Sequence, residues 1–242
     1  MDSASRYDDY WRERDEVRTR ARSRSRAFLA IRLLEKAGMK PVNPAAGGTP
    51  SLYEIGCGPG WALEVFREAG FDVRGCDVSP EAVDRARELG LEVRCRDIER
   101  AEPEGSPAGS GSDVLVALEV LEHLKEPLPV LKGMSATAAP GGSLVVSLPN
   151  ENHLVSRLLK LFGRSQRGGE GDPHLHHFDR PSALRLFSDA GLKVLARFDD
   201  SIAPPRMPVV RWLLRPLLAL MPGLFSLAHV FLLEAAKEGS PA

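Results

Sequence analysis

Residues 54–61 read EIGCGPGW, a glycine-rich turn at the end of a short apolar strand pattern. A strand that ends in G-x-G and opens a helix brings backbone N–H groups and a helix N-terminus to face a ligand. A dinucleotide-binding fold requires the longer pattern G-x-G-x-x-G, whose last glycine permits close helix–strand packing. Here glycines occupy positions 56, 58 and 60, and Trp61 stands where that last glycine would be. The indole argues against a nicotinamide enzyme, although the short glycine turn does not by itself select another ligand.

Acidic residues lie at the start of this turn and at the ends of the next two predicted strands. Glu54 precedes the glycines, and a carboxylate there suits a ligand with an ammonium and a sulfonium better than one with phosphates. Asp77 follows Gly56 by 21 residues, where it can accept both hydroxyl groups of a ribose. Asp97 ends the third strand, where it can accept a hydrogen bond from an adenine amino group, with Ile98 beside the ring. Asp77 alone would be interpreted as a cap or turn residue, but the spacing of the whole set indicates a sulfonium-bearing nucleoside.

The sequence alternates between strand and helix patterns from residue 51 onward. Strands are predicted at residues 51–56, 71–79, 91–97, 113–119, 143–149, 192–200 and 226–237. Helices between successive strands favour right-handed crossovers and a parallel, doubly wound α/β sheet. Ligands of such sheets bind at the carboxyl ends of the strands, so the residues that follow each strand are expected to form one site. For the first five strands these residues are Gly56–Gly60, Asp77, Asp97, Glu119–His123 and Pro149–Asn150.

Charge and cysteine usage narrow the class of partner. The 242-residue chain has a formal net charge of −1, so no DNA partner is expected and RNA is disfavoured. Its three cysteines form no C-x-x-C pair, and the charged N-terminus lacks the apolar core of a signal peptide, so a cytoplasmic protein is predicted. Residues 1–40 are predicted to form a helical N-terminal cap, before a domain that covers residues 41–242. The basic tract Arg18–Arg26 is interpreted as the solvated face of a helix rather than as an RNA-binding segment.

An apolar segment near the C-terminus, Met207–Leu233, is the one candidate for membrane contact. Arg211 and Arg215 interrupt it, and prolines 216 and 222 divide it into pieces shorter than the ~20 apolar residues that a span requires. It is interpreted as a cap insertion that covers a pocket, with peripheral membrane contact as the alternative.

Five motifs, in order and spacing, carry a family resemblance. YEIGCGPG, GCDVS, CRDIE, SDVLVALEVLEHL and PGGSLVVSLPN resemble those of the class I S-adenosylmethionine-dependent methyltransferases over about residues 50–235. SLPNENHL followed by HLHHFDRPSALRLFSDAGLKV is similar to the subgroup that contains the ubiquinone-type O-methyltransferases. The resemblance implies a Rossmann-like sheet of seven strands, mostly parallel, whose last strand is antiparallel.

The resemblance also implies a cofactor site for S-adenosyl-L-methionine. It places the methionine part at the glycine turn, the ribose on Asp77 and the adenine near Asp97 and Ile98. The cofactor-binding residues expected in full are Glu54, Gly56, Gly58, Gly60, Asp77, Val78, Asp97, Ile98 and Leu118.

The EVLEHL run places Glu119, Glu122 and His123 beside the expected methyl group. Two carboxylates three residues apart can share one face of a helical turn, and with the histidine they can hold a divalent ion. The small-RNA 2′-O-methyltransferases resemble this chain here, and their pattern implies a Mg²⁺ site at Glu119, Glu122, His123 and His176. Two alternatives stay open: His123 as a base or positioning group without metal, and a purely structural cluster.

The sequence therefore predicts an S-adenosylmethionine-dependent methyltransferase that methylates an oxygen of a small, partly hydrophobic acceptor. Catalysis is assigned to His123, Glu119 and Glu122. The alternatives are a metal-dependent RNA ribose methyltransferase and a non-catalytic protein that binds S-adenosylmethionine.

Overall fold

The computed structural model describes residues 7–8, 10–12, 15–39, 48–100, 111–150, 152–162, 174–203 and 207–235. The first six residues of the predicted N-terminal cap lie outside the described residues, as do positions 236–237 of the last predicted strand. In chain order the elements are α1 Glu16–Lys36, β1 Ser51–Ile55, α2 Trp61–Glu68, β2 Asp72–Asp77, α3 Pro80–Glu88, β3 Glu92–Cys95, β4 Ser112–Leu118, a 3₁₀ turn Leu121–His123, α4 Pro127–Thr137, β5 Ala138–Pro149, α5 Leu154–Leu161, α6 Arg180–Asp189, β6 Leu192–Ser201, α7 Pro208–Leu220, α8 Pro222–Phe225 and β7 Ser226–Ala235.

The strands form one seven-stranded sheet in the order β3-β2-β1-β4-β5-β7-β6. Strands β1 to β5 pair in parallel, whereas β7 pairs antiparallel with both β5 and β6. This topology confirms the predicted doubly wound sheet with an antiparallel last strand. Parallel strands are buried on both faces when helices cover them, and the fully buried Val114, Leu115, Val116 and Ala117 of β4 show this.

The pairing registers show which strand ends lie at the same edge of the sheet. Pro149 at the end of β5 pairs with Ala228 of β7, and Ala228 pairs with Asp200 near the end of β6. The carboxyl ends of β4, β5 and β6 therefore lie together with the amino end of β7. The segment between β6 and β7, which includes α7 and α8, leaves the sheet at this same edge.

Local sequence signals start the helices next to the site. Ser79 caps α3, since its side-chain oxygen accepts a hydrogen bond from the backbone N–H of Ala82 at 3.1 Å, and Pro80 occupies the first turn. Gly60 precedes α2 with φ 81°, a left-handed conformation that glycine adopts without steric cost. The glycine turn thus leads directly into a helix, as predicted.

Strand β5 is longer than the sequence indicates. It begins at Ala138 rather than at Ser143, because Ala138 pairs with Ser112 before an irregularity in the ladder between Ser112 and Val114. Gly141, with φ 78°, lies within this extension. At such an irregularity glycine adopts, without strain, a backbone conformation that other residues rarely adopt.

Helix α1 packs into the core of the sheet domain. Ala27, Ala30, Leu33 and Leu34 are fully buried and belong to the same hydrophobic cluster as Phe66 of α2. Their spacing follows one face of a helix. The interpretation of Arg18–Arg26 as a solvated face is wrong at its last residue: Arg26 precedes this buried face and is only 6% exposed.

Among the residues that the structure describes, no helix has both the length and the apolar content needed to cross a membrane.

Candidate functional site

The glycine turn adopts a backbone that larger residues would not fit. Gly56 and Gly58 have φ values of 66° and 53°. A Cβ atom at Gly56 would lie 2.6 Å from a methyl carbon of Val120, and one at Gly58 would lie 2.5 Å from the ring of Trp11. Both the backbone conformation and the available space require glycine at these two positions. The backbone of the turn can therefore lie directly against Val120 and the ring of Trp11.

Asp77 fixes this turn from the neighbouring strand. One carboxylate oxygen accepts a hydrogen bond from the Gly58 N–H at 2.7 Å, and the other accepts one from the Ser79 N–H at 3.0 Å. The side chain is 7% exposed, and burial raises its pKa even though the backbone donors oppose the shift. Each carboxylate oxygen has a further lone pair, so Asp77 can still accept hydrogen bonds from a ligand.

Glu54 carries a buried carboxylate oxygen, Oε2, that has no hydrogen-bond partner within the described structure. The residue is 2% exposed, and burial, followed by repulsion from Asp77, raises its pKa well above the ordinary value. An unsatisfied buried acceptor costs about 1–3 kcal/mol. A ligand that brings a hydrogen-bond donor or a positive charge would satisfy it.

The other predicted cofactor residues lie at the same edge with looser contacts. Asp97 follows β3 and accepts a hydrogen bond from the Glu99 N–H at 3.1 Å, while Arg100 lies 3.4 Å from its second oxygen. Ile98 packs on one hydrophobic cluster and Leu118, at the end of β4, packs on the other. The backbone oxygen of Val78 lies 3.7 Å from the Cys95 sulfur.

Glu119 occupies a strained position directly after β4. It is the one described non-glycine residue with a positive φ, 57°. The Ser147 hydroxyl donates to its carboxylate at 2.9 Å, and the Glu119 N–H donates to the Ser147 oxygen at 3.0 Å. Arg26 lies 3.5 Å from the same carboxylate. These contacts turn Glu119 toward β5 and α1.

Arg26 joins Glu119 to the C-terminal part of the chain. Its guanidinium forms an ion pair with Asp200 of β6, and Asp200 also accepts from Arg211 of α7 at 3.4 Å. Burial alone would lower the pKa of Arg26, but the carboxylates of Glu119 and Asp200 outweigh it and raise the pKa. None of the sequence motifs includes Arg26; its helical spacing from the apolar residues of α1 is the sequence signal that indicates its burial.

Glu122, His123 and His174 form a cluster of groups that could hold a metal ion. One ligand atom from each lies within 4.8 Å of the others, and Glu122 is fully buried. The Glu122 backbone oxygen accepts from the Leu175 N–H at 2.8 Å and from the His176 N–H at 3.0 Å, which holds the histidine segment against the turn. A carboxylate with two imidazoles suits borderline divalent ions.

The structure brings together two of the four predicted metal ligands, Glu122 and His123, with His174 beside them. Glu119 bonds to Ser147 instead. The His176 ring hydrogen bonds to the Lys125 backbone oxygen at 3.1 Å and stacks on Phe178 with ring centroids 5.8 Å apart.

Aromatic side chains from the N-terminal segment lie over this region. The rings of Tyr7 and Tyr10 meet the His123 ring edge-on, at centroid distances of 6.1 and 6.2 Å, and Trp11 meets Trp61 at 5.9 Å. Three aromatics within five positions, in a chain with 6% aromatic residues, are the sequence signal for this contact.

Polar contacts hold the same segment against α3. The Asp8 carboxylate accepts from the Ser79 hydroxyl and from the Glu81 N–H, the latter at 3.2 Å, and Arg12 lies 2.6 Å from the Glu81 carboxylate. The segment therefore covers the end of β2 as well as the turn that contains His123.

Comparison with known proteins identifies the family. Residues 10–197 match the model of a methyltransferase domain. The ubiquinone biosynthesis O-methyltransferase of Stutzerimonas stutzeri (strain A1501) is 33% identical over 156 residues, covering 59% of this chain and 64% of the relative. The protein of the same name from Pseudomonas paraeruginosa (strain PA7) is 33% identical over 168 residues, covering 66% of this chain and 68% of the relative. The matched part of the chain thus spans about two thirds of the length of these curated relatives.

Solved structures agree on the fold. Magnesium protoporphyrin IX methyltransferase from Synechocystis PCC 6803, with bound SAH, superposes with a TM-score of 0.59 and 16% identity over 93% of this chain and 92% of that one. A SAM-dependent methyltransferase from Archaeoglobus fulgidus gives a TM-score of 0.53 and 19% identity over 86% and 93%.

Proposed function

Because this chain belongs to the methyltransferase domain family, we propose that it transfers a methyl group from S-adenosylmethionine to an oxygen of a small, partly hydrophobic acceptor. The observation that carries the proposal is the unsatisfied Oε2 atom of Glu54 beside a glycine turn pinned by Asp77. The names of the relatives support O-methylation and favour it over the RNA and non-catalytic alternatives.

The residues of the turn fit this cofactor. Glu54 offers a buried acceptor for the ammonium group, and the turn beside it carries no side chain at positions 56, 58 and 60. Asp77 and Val78 would bind the ribose, with Asp97, Ile98 and Leu118 around the adenine. When bound, S-adenosylmethionine supplies an electrophilic methyl group on a sulfonium.

His123 is the group that we assign to the acceptor proton. Methyl transfer needs an oxygen nucleophile held in line, so the work of the protein is positioning, exclusion of water and removal of one proton. A ring nitrogen of His123 would take that proton, and the Glu122 carboxylate within 4.8 Å would stabilise the resulting imidazolium. The edges of Tyr7 and Tyr10 on His123 would exclude water and provide an apolar wall for the acceptor.

A divalent ion is an alternative partner for the same groups. Glu122, His123 and His174 fit one by their donor types and by the 4.8 Å spacing of their ligand atoms. Such an ion would lower the pKa of the acceptor hydroxyl. In this arrangement Glu119 and His176, which the sequence pattern also proposed as ligands, would serve to position Arg26 and the histidine segment.

The N-terminal residues complete the proposed enzyme. Of the predicted cap at residues 1–40, we assign the described residues 7–8 and 10–12 to a cover over the site of the domain at residues 41–242, supported by the contacts of Tyr7, Tyr10 and Trp11. Helix α1 instead belongs to the core of that domain. The cysteines Cys57, Cys76 and Cys95 are free thiols, which supports a reducing, cytoplasmic environment.

Calorimetric titration with S-adenosylmethionine tests the proposal. The wild-type protein is expected to bind it and to show no binding of a nicotinamide dinucleotide. Asp77→Ala should weaken the affinity by roughly tenfold to a hundredfold, because hydrogen bonds to a charged group contribute about 1.5–3 kcal/mol. Asp72→Ala removes an exposed carboxylate from the same strand and serves as the control.

Two results would overturn this assignment. If titration of the wild-type protein with S-adenosylmethionine gives no binding signal, the assignment of a cofactor site is wrong. A folded Asp77→Ala protein, verified by circular dichroism, with unchanged affinity would remove the ribose assignment.

A further inference from the structure

Helix α7 carries a run of exposed apolar side chains. Between 39% and 79% of each is exposed for Met207, Val209, Trp212, Leu213, Leu217, Leu220 and Met221. Positions 209, 212, 213, 217 and 220 recur with the helical period, so they share one face. Contiguous exposed apolar surface of this kind marks an interaction site. We propose that this face, with the flanking methionines, docks the protein on the surface of an anionic lipid bilayer.

The charges around this face favour lipid headgroups. No acidic residue occurs in residues 201–233, and the charged residues there are Arg206, Arg211 and Arg215. Arg215 is exposed, whereas Arg211 is directed to Asp200. An apolar helix face bordered by arginine is the pattern of helices that lie in a membrane interface and bind anionic lipid.

Helix α5 also presents exposed apolar side chains together with an exposed arginine. Val155, Leu158, Leu161 and Phe162 are 42–78% exposed, and the exposed Arg157 lies among them. No acidic residue occurs between positions 152 and 169. Asn150, just before α5, donates to the Gly223 backbone oxygen in α8 at 3.0 Å. The segment leading to α5 is therefore attached to the segment that follows α7.

The docking face lies at the edge of the sheet that carries the candidate site. Helix α7 starts after the end of β6, and its Arg211 contacts Asp200, which contacts Arg26 beside Glu119. If the proposed methylation is correct, on which this step rests, an acceptor dissolved in the bilayer would enter the site from the docked side.

A second copy of this chain fits the face less well than lipid does. A twofold contact joins the same patch on both copies, so Arg215 would face the arginines of its partner without an acidic residue to pair with. A lipid surface supplies the missing negative charge. Docking of this kind does not require a helix that spans the bilayer.

The full chain should bind vesicles that contain phosphatidylglycerol in phosphatidylcholine. It should bind pure phosphatidylcholine vesicles more weakly, and high salt should weaken its binding to the anionic vesicles. Trp212 reports the contact, since Trp61 is 6% exposed and Trp11 packs on Trp61. Its emission should shift to shorter wavelength with the anionic vesicles. Leu213→Asp should lower the vesicle partition coefficient by about tenfold or more, from the lost burial of one leucine. Val17→Asp, at a 76% exposed position of α1, is the matched control and should bind as wild type does.

Equal partitioning of the wild-type, Leu213→Asp and Val17→Asp proteins would overturn the proposal. So would self-association in solution that Leu213→Asp abolishes while no vesicle binding is seen, because the face would then be occupied by a second copy. Calorimetry with S-adenosylmethionine on the same preparations separates the two hypotheses. If the wild-type protein binds S-adenosylmethionine but no vesicles, the docking inference alone is wrong. If it binds vesicles but not S-adenosylmethionine, the proposed function alone is wrong.

Discussion

The buried carboxylate of Glu54 has a stability cost, and it is the group to which we assign the ammonium of the proposed cofactor. This carboxylate is buried next to Asp77, with an oxygen that has no hydrogen-bond partner in the described structure. Natural proteins retain such groups where a ligand completes them, at the expense of the stability of the ligand-free state. The acid that precedes the glycines was recognised from the sequence, but its isolation from water depends on the strands around it.

Glu54→Gln should stabilise the ligand-free protein at neutral pH and weaken its binding of S-adenosylmethionine. The folded-state pKa is raised, so the folded protein holds this proton more tightly than the unfolded chain does. Stability is then lost as the pH rises from the unfolded-state pKa toward the folded-state pKa. The substitution should flatten that decline in urea unfolding experiments across the pH range.

Glu88→Gln, at an exposed position of α3, is the control and should leave the pH profile unchanged. A profile for Glu54→Gln that runs parallel to the wild-type profile would show that Glu54 is ionised with little penalty.

At the scale of elements, the segment before α6 decides which histidine reaches the site. The Glu122 backbone oxygen binds the N–H groups of Leu175 and His176, so the segment lies against the 3₁₀ turn. This places His174 within reach of Glu122 and His123, while the ring of His176 bonds to the Lys125 carbonyl. The rings of His174 and His176, two positions apart, therefore have different neighbours.

If the alternative with a bound divalent ion is correct, Mn²⁺ or Co²⁺ should raise the thermal unfolding midpoint of the wild-type protein, because an ion that binds only the folded state stabilises it. His174→Ala should abolish that shift, whereas His176→Ala should retain it. Differential scanning fluorimetry with and without chelator measures both effects. A shift that depends on His176 and survives His174→Ala would restore the ligand set that the sequence pattern suggests.

At the scale of the whole molecule, one buried ion pair connects distant parts of the chain. Arg26 of α1 bonds to Asp200 of β6 and lies next to Glu119 after β4, and Asp200 also contacts Arg211 of α7. Three regions far apart in sequence thus meet at one guanidinium. Buried pairs add little when complete, but the loss of one partner leaves an uncompensated buried charge.

Arg26→Met should lower the free energy of unfolding by about 3–5 kcal/mol, because it leaves the carboxylate of Asp200 buried without its main partner. Arg20→Met, in the same basic tract, removes an exposed pair with Glu64 and should cost roughly 0–1 kcal/mol. Guanidinium unfolding curves compare the two. Equal costs would mean that Arg26 behaves as one more surface arginine.

The sequence by itself determined the sheet, the glycine turn and the acidic residues at the strand ends. These features are local or repeat with a regular period: the spacing from Gly56 to Asp77 is that of one strand–helix–strand unit, and the carboxyl ends of parallel strands meet at one edge. Tertiary structure decided that Arg26 is buried, that Glu119 is held by Ser147, and that the ring of His174 rather than that of His176 approaches the Glu122 carboxylate. Each of these outcomes depends on contacts between residues far apart in the chain, and no local pattern specifies which distant group will lie within hydrogen-bonding distance.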